Sequence, residues 1–362
     1  MDDRTLTRST ATHTPDLTWP RLLATLAAGR DLRADEARWA MERVLDDDFR
    51  PEQLAGFLMG LRVKGESAAE LSGLVAAALD HAVPLDVDGG RCVDLAGTGG
   101  DGGSTVNIST MASVLVAACG VPVVKHGGRS ASSKCGTADV LEALGIPLDL
   151  PPAAVAEVAR RAGITFCFAP VFHPALRNAA PVRRALGVPS AFNLLGPLIG
   201  PARPRHQVVG VADLRAAPAI AGLLAERGTS ALVVRSEDGT DELTTTAPAR
   251  IWAVQDGTVT EERLDPAGLG LAPAPAGALV GGGPEHNARV LREVLAGATG
   301  PVLDTVLLNA AAALIAARPR PGRVVPRFPA ALHEARQAVE SGAAPKALDG
   351  WLTAVRDVRT AG

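Results

Sequence analysis

Apolar positions recur along the chain with two different textures, and the change between them divides it. From residue 17 to about residue 83 the spacing is helical. Ala37, Ala40, Met41, Val44 and Leu45 fall at i, i+3, i+4, i+7 and i+8, with Asp35 the expected cap. Leu54, Phe57, Leu58 and Leu61 repeat the stripe behind Pro51, a residue suited to the first helical turn, and Ser67 precedes a third run through Leu79. After an Asp/Gly-rich connector at 85–90, short apolar runs alternate with helical ones. Residues 92–96, 121–124, 165–169, 207–211 and 231–235 read as buried strands. Residues 110–119, 138–144, 152–162, 216–227, 285–295 and 304–317 read as helices, and a proline-rich loop at 318–329 leads to a last helix at 330–341. Strands too apolar to alternate, separated by helices, predict an α/β protein: a small helical domain (17–84) plus a larger α/β domain with a mainly parallel central sheet. Residues 1–16 read as a disordered tail.

Composition narrows the function. The 362 residues are 47% hydrophobic and 21% charged, which suits a globular chain larger than one compact core. A net charge of −3, an absence of tyrosine and 3% aromatics argue against nucleic-acid and membrane partners. Cys92, Cys119, Cys135 and Cys167 form no Cys-x-x-Cys pair and have no histidine at zinc-ligand spacing, as in a reduced, cytoplasmic enzyme. The most apolar stretch, 111–124, is interrupted by Ser113, Gly120 and Pro122 and is too short to span a bilayer.

Candidate chemistry concentrates between residues 94 and 139. Residues 97–105 follow a strand, and five of the nine are glycine, so the backbone can curl until several N–H groups point inward. Asn107-Ile108-Ser109-Thr110 then opens a helix, adding unpaired N–H groups to the same anion site. A plain glycine-rich turn is the simpler alternative. Gly97, Gly99 and Gly102 also satisfy the dinucleotide fingerprint. That fingerprint wants an acid after the next strand, and this chain has Lys125-His126 there. The run Lys125-His126-Gly127-Gly128-Arg129-Ser130-Ala131-Ser132-Ser133-Lys134 packs three cations besides the histidine, two glycines and three serines into ten residues, while the whole chain has four lysines. Two phosphate-type loops on consecutive strands favour a polyanion over a solvated basic loop.

These blocks resemble the signature of the anthranilate phosphoribosyltransferase family: 97–101, 107–110, 125–129 and 132–144. The likeness continues through His173-Pro174, Pro181-Val182-Arg183-Arg184, residues 192–198, Asp241-Glu242, 282–287 and 300–314, in order from about residue 20 onward. The resemblance implies transfer of the 5-phosphoribosyl group from phosphoribosyl pyrophosphate to the amine of anthranilate, in tryptophan biosynthesis. It implies a cytoplasmic homodimer, with a segment near 182–204 returning to the helical domain and leaving 85–181 and 205–362 as the α/β domain. By resemblance Gly97, Gly100, Asp101, Thr105, Asn107, Ile108, Ser109, Thr110, the run Lys125 through Ser133 (Gly127, Gly128, Arg129, Ser130, Ala131 and Ser132 among them) and Thr137 hold the donor. Ser109, Asp241 and Glu242 would hold Mg²⁺, although by themselves two adjacent carboxylates read as a solvated turn.

Arg183 would meet the acceptor's carboxylate, its planar fork matching two oxygens, with Gly97, Gly128 and His126 nearby. Lys125 and His126 are the candidates for direct catalytic contact, and His126 reads equally as a structural histidine. No general base is expected, because an aromatic amine is neutral at pH 7 and needs positioning. One departure stands out: Gly128 and Gly200 occupy positions where the family usually has asparagine. Losing one such hydrogen bond costs about 0.5–1.5 kcal/mol, roughly tenfold in affinity at most. The roomier wall leaves another aryl acid, a hydroxy- or substituted aminobenzoate, as the alternative acceptor. A pyrimidine nucleoside phosphorylase fits the basic run less well. A nucleic-acid-binding relative would lose the acidic pair and turn basic.

Overall fold

The computed structural model describes residues 17–130 and 133–361, so the tail expected at 1–16 lies outside the described residues. Helices α1 (Trp19–Ala27), α2 (Ala34–Leu45), α3 (Pro51–Lys64) and α4 (Ala68–Asp80) form the helical part. Ser67 opens α4 as expected: its Oγ accepts the Glu70 N–H at 3.3 Å while Glu70 accepts the Ser67 N–H at 2.8 Å. Helix α2 is capped differently from the expectation. It starts before Asp35, whose carboxylate turns outward to Arg33, and Glu36 closes the first turn by accepting the Arg33 N–H. The apolar stripes meet in one core holding Leu22, Met41, Leu58, Leu61 and Leu74. Val182, Phe192, Leu195 and Leu198, from short helices after the third strand, pack into the same core.

The larger part is a seven-stranded sheet among the described residues, ordered β3-β2-β1-β4-β5-β6-β7. Strands β1 (Val93–Gly97), β2 (Val123–Gly127), β3 (Ile164–Phe168), β4 (His206–Gly210) and β5 (Ser230–Ser236) are parallel and are the five apolar runs of the sequence, their ends shifted by one to three residues. Helices α5 (Ile108–Ala118), α6 (Thr137–Ala143) and α7 (Pro152–Ala162) connect the first three. The chain steps outward from β1 to β3 and then returns to the other side of β1 at β4. Such a reversal opens a crevice at the carboxyl ends of the strands.

Two features escaped the sequence reading. β6 (Ala249–Gln255) and β7 (Thr258–Leu264) add an antiparallel hairpin whose turn, Asp256-Gly257, has φ of 48° and 74°. An Asp-Gly pair between two strand-like runs was the available signal. The helix at 330–341 is also not the last one. Helix Phe328–Glu340 ends at Gly342 (φ 72°), and Ala343–Ala361 follows, burying Ala344, Leu348, Trp351 and Val355 against the sheet's main core. Among the described residues no helix is long and apolar enough to cross a membrane.

Candidate functional site

The loop after β1 curls through glycines at positive φ, Gly99 (65°), Gly100 (86°) and Gly102 (72°), a region that side chains rarely enter. Both flanks are stitched down. Thr98 donates its N–H to the Gly210 carbonyl at 2.9 Å and accepts the Ala212 N–H on Oγ1. Val106 N–H reaches the Leu279 carbonyl at 2.9 Å, and Gly281 N–H reaches Ser104 at 2.8 Å. The loop after β2 folds back on itself. Ser133 N–H donates to Ser130 Oγ at 2.7 Å, and Asp139 closes α6 by accepting the Gly136 N–H at 2.8 Å. A Cβ on Gly136 would lie 2.4 Å from the Ser130 nitrogen, so that crossing needs glycine.

The two loops face one crevice of about 430 Å³. Gly97, Gly100, Asp101, Thr105, Asn107 and Ser109 line one side, and Lys125 through Ser130, Ser133 and Thr137 the other. Arg183, Asp241 and Glu242 complete the wall. Ile108 and Thr110 are buried on the inner face of α5 and do not reach the surface of the crevice. Ala131 and Ser132 lie outside the described residues.

The acidic pair sits where β1 and β4 end. Asp241 Oδ2 accepts the Gly99 N–H at 2.7 Å, and Glu242 Oε1 accepts the Ser109 N–H at 3.2 Å. Burial, with Asp101 close by, raises Asp241 to about 6, and burial together with Asp241 holds Glu242 well above the usual carboxylate range. Glu242 Oε2 is buried with no hydrogen-bond partner. Two crowded carboxylates with an unsatisfied oxygen, beside the Ser109 hydroxyl, form a hard-oxygen set that fits a divalent cation. Among the described residues no three His, Cys, Asp or Glu side chains gather closely enough to hold a metal by themselves. A cation here would therefore need oxygens from water or substrate as well.

Cations are deployed unequally. Lys125 is fully buried: its ammonium meets the Leu95 carbonyl and Ser109 Oγ, the latter at 3.1 Å, so it orients that hydroxyl from beneath the crevice. Burial lowers its pKa, opposed by Asp94 and Glu242. Arg129 leans away onto Asp139 (2.6 Å) and Glu142 (3.0 Å). His126 is buried, with Nδ1 at 2.9 Å from the Gly196 carbonyl and its ring edge-on to His173, and burial pushes it down to about 3. It is a neutral ring at any ordinary pH. Arg183 lies over the Phe192 ring at 5.3 Å, and burial lowers its pKa with no acid to oppose the shift, so an anionic ligand would supply the counter-charge it lacks. A Cβ on Gly128 would meet nothing within 4 Å. Gly200, by contrast, does not enlarge the crevice: it is buried behind His126, against Pro204 and Asp94 Oδ2.

Sequence reasoning missed several contributors. Thr98, Ser104, Cys135, Ala169 and Asn193 also line the crevice. Two asparagines act from behind it. Asn309 accepts the Leu243 N–H and donates to the Leu243 carbonyl, clamping the backbone next to Glu242. Asn287 accepts the Gly282 N–H and donates to Asn107 Oδ1, both at 2.8 Å. Both asparagines lie in segments covered by the family resemblance, 282–287 and 300–314, but nothing in the sequence gave either one a role.

Two family models match in tandem: glycosyl transferase family, helical bundle domain, over residues 20–82, and glycosyl transferase family, a/b domain, over 89–345. The anthranilate phosphoribosyltransferase of Salinispora arenicola is 52% identical over 94% of this chain and 98% of its own. That of an Arthrobacter species is 51% identical over 94% and 96%. Among solved structures, the anthranilate phosphoribosyltransferase of Thermus thermophilus superposes with a TM-score of 0.85 at 38% identity, over 92% of this chain and 99% of that one. The Saccharomyces cerevisiae enzyme in complex with PRPP and Mg superposes with a TM-score of 0.83 at 25% identity, over 95% and 99%.

Proposed function

We propose, because the chain belongs to the anthranilate phosphoribosyltransferase family, that it transfers the 5-phosphoribosyl group of phosphoribosyl pyrophosphate to the anthranilate amine, releasing pyrophosphate, in tryptophan biosynthesis. The observation that carries this reading is the single crevice shared by the glycine loop, the serine loop and the acidic pair. A sugar pyrophosphate is a polyanion held by its oxygens, and a glycine-rich backbone, hydroxyls and a carboxylate pair suited to a divalent cation answer that chemistry.

In this proposal Gly97, Gly100, Asp101, Thr105, Asn107 and the serine loop bind the donor, and Ser109, Asp241 and Glu242 hold Mg²⁺. When bound, Mg²⁺ supplies positive charge to the departing pyrophosphate. Lys125 holds the Ser109 hydroxyl in place, and its buried charge favours the negative charge that builds as the C1–oxygen bond breaks. Arg183 orients anthranilate through its carboxylate so that the amine faces C1. His126, neutral and tied to Gly196, shapes the wall and moves no proton. The homodimer is part of the same proposal, and sedimentation velocity tests it.

One observation favours a second reading. The empty space over Gly128 admits a ring substituent, so a substituted aminobenzoate or hydroxybenzoate is the alternative acceptor. Steady-state turnover of phosphoribosyl pyrophosphate against a panel of benzoates, with and without Mg²⁺, separates the two. Anthranilate ranking first supports the main reading, and anthranilate ranking far below another acid replaces it. Failure to consume the donor with any acceptor overturns both.

A further inference from the structure

Three segments that line or back the crevice are tied together by two side-chain amides in series. Gly282 donates its N–H to Asn287 Oδ1 at 2.8 Å, and Asn287 Nδ2 donates to Asn107 Oδ1 at 2.8 Å. Asn107 Nδ2 then donates to the Cys135 carbonyl at 3.3 Å, and the Cys135 thiol donates back to Asn107 Oδ1 at 3.5 Å. The series begins at a backbone N–H, which can only donate, and ends at a backbone carbonyl, which can only accept. The two termini agree on which way both amides face, and Asn287 carries the constraint from the Gly282 end to Asn107. Asn287 is 2% exposed and sits in the first turn of helix Pro284–Leu295, behind Asn107. Asn107 itself lines the crevice. With its oxygen taken twice and one N–H on Cys135, the Asn107 amide has only its remaining N–H to offer the crevice.

We infer that Asn287 is a positioning residue for the donor site: it forces Asn107 to present a hydrogen-bond donor rather than an oxygen to the anionic substrate. The inference rests on the phosphoribosyl pyrophosphate reading and adds a residue to it. An Asn107 amide free to turn over would put a carbonyl dipole against phosphate, which a polyanion rejects.

Asn287→Asp removes the donated hydrogen bond while keeping the shape of the side chain, and an Asn107→Ala background separates that loss from the added charge. The aspartate still accepts from Gly282 but cannot donate, so it opposes Asn107 Oδ1 and turns that amide over. Titration calorimetry with the Mg²⁺ complex of phosphoribosyl pyrophosphate should show about tenfold weaker binding. The anthranilate KM at saturating donor should change less than twofold. In an Asn107→Ala background, adding Asn287→Asp should change donor affinity less than twofold, since there is no amide left to orient. Unchanged donor affinity in Asn287→Asp, or the same tenfold loss persisting without Asn107, overturns the inference. Should that variant not fold, hydrogen exchange of the assigned side-chain amides in the wild-type protein decides. Slow exchange of the Asn287 amide supports the relay, and exchange as fast as at an exposed asparagine refutes it. Wild-type protein that fails to bind the donor would sink the functional reading and leave the exchange result standing.

Discussion

Adding one methyl group at Gly97 tests whether the glycine loop and the acidic pair work as one unit. A Cβ built there lies 2.1 Å from Asp241 Oδ2 and 2.9 Å from its Cγ, while the backbone oxygen of Asp241 is 3.4 Å away. Ordinary contact starts near 3.5 Å, so the carboxylate must withdraw by about 1.4 Å while the backbone barely moves. That withdrawal breaks the 2.7 Å hydrogen bond from Gly99 and takes Asp241 out of register with Glu242. A charge-assisted hydrogen bond carries about 1.5–3 kcal/mol, and a 1 Å misplacement at a reacting site costs about a hundredfold. Gly97→Ala should therefore lower kcat/KM for phosphoribosyl pyrophosphate about a hundredfold, about 2.7 kcal/mol in the barrier, and raise the Mg²⁺ concentration needed for half activity. Thermal unfolding should shift by only a few degrees, because the obstacle is a movable side chain. Gly210→Ala provides the contrast: its Cβ would fall 1.5 Å from the Asp241 backbone oxygen, so that variant should lose the fold along with the activity. Donor binding measured by calorimetry in an Asp241→Ala background closes the cycle, since Gly97→Ala should add almost nothing once the carboxylate is gone. A Gly97→Ala enzyme with wild-type donor kinetics and Mg²⁺ dependence would refute the reasoning.

Arg183→Ala should raise the acceptor KM by about ten- to a hundredfold, the worth of a charge-assisted contact, and leave the donor KM within about threefold; equal damage to both substrates would show that the arginine is merely structural. Gly128→Asn should fold normally, because its Cβ meets open space, and in kinetics against the benzoate panel it should disfavour ring-substituted acids relative to anthranilate. Burial, partly offset by Lys125, raises Asp94 to about 7, while burial with His173 lowers its neighbour His126 to about 3. Between about pH 4 and 6.5 the folded state thus holds one extra proton on Asp94 and lacks one on His126, and the two slopes cancel. Asp94→Asn removes the first. Relative to wild type, the variant should then lose about 1.4 kcal/mol of stability per pH unit as pH falls below 6.5, read from urea unfolding of both proteins at pH 6 and 5; a variant whose pH dependence matches that of wild type would contradict the assignment.

Much of the architecture was legible in one dimension. Helical periodicity in α2 and α3 and continuous apolar runs in β1 to β5 are local consequences of which face is buried. The two phosphate-type loops were legible for the same kind of reason: glycine and serine in a short run restrict what the backbone can do and leave N–H groups exposed. Edges were harder. β7 carries Thr, Glu and Arg on its exposed face, which mutes its apolar signal, and the capping of α2 was settled by Glu36 reaching back rather than by Asp35. What no run of residues could decide is which way each polar group faces. Lys125 and Arg129 lie four apart in one basic segment, yet one ammonium is buried under the crevice and the other cation leaves for two acids on α6. Gly128 and Gly200 look alike as losses of an amide, but only the first opens onto the crevice. Asn107 and Asn287, 180 residues apart, become one hydrogen-bonded pair only when α5 and the 282–287 turn are brought together. Sequence sets the backbone's local preferences through side-chain sterics and burial, whereas the direction of a charge or an amide depends on partners supplied by remote strands, and only the folded chain brings those together.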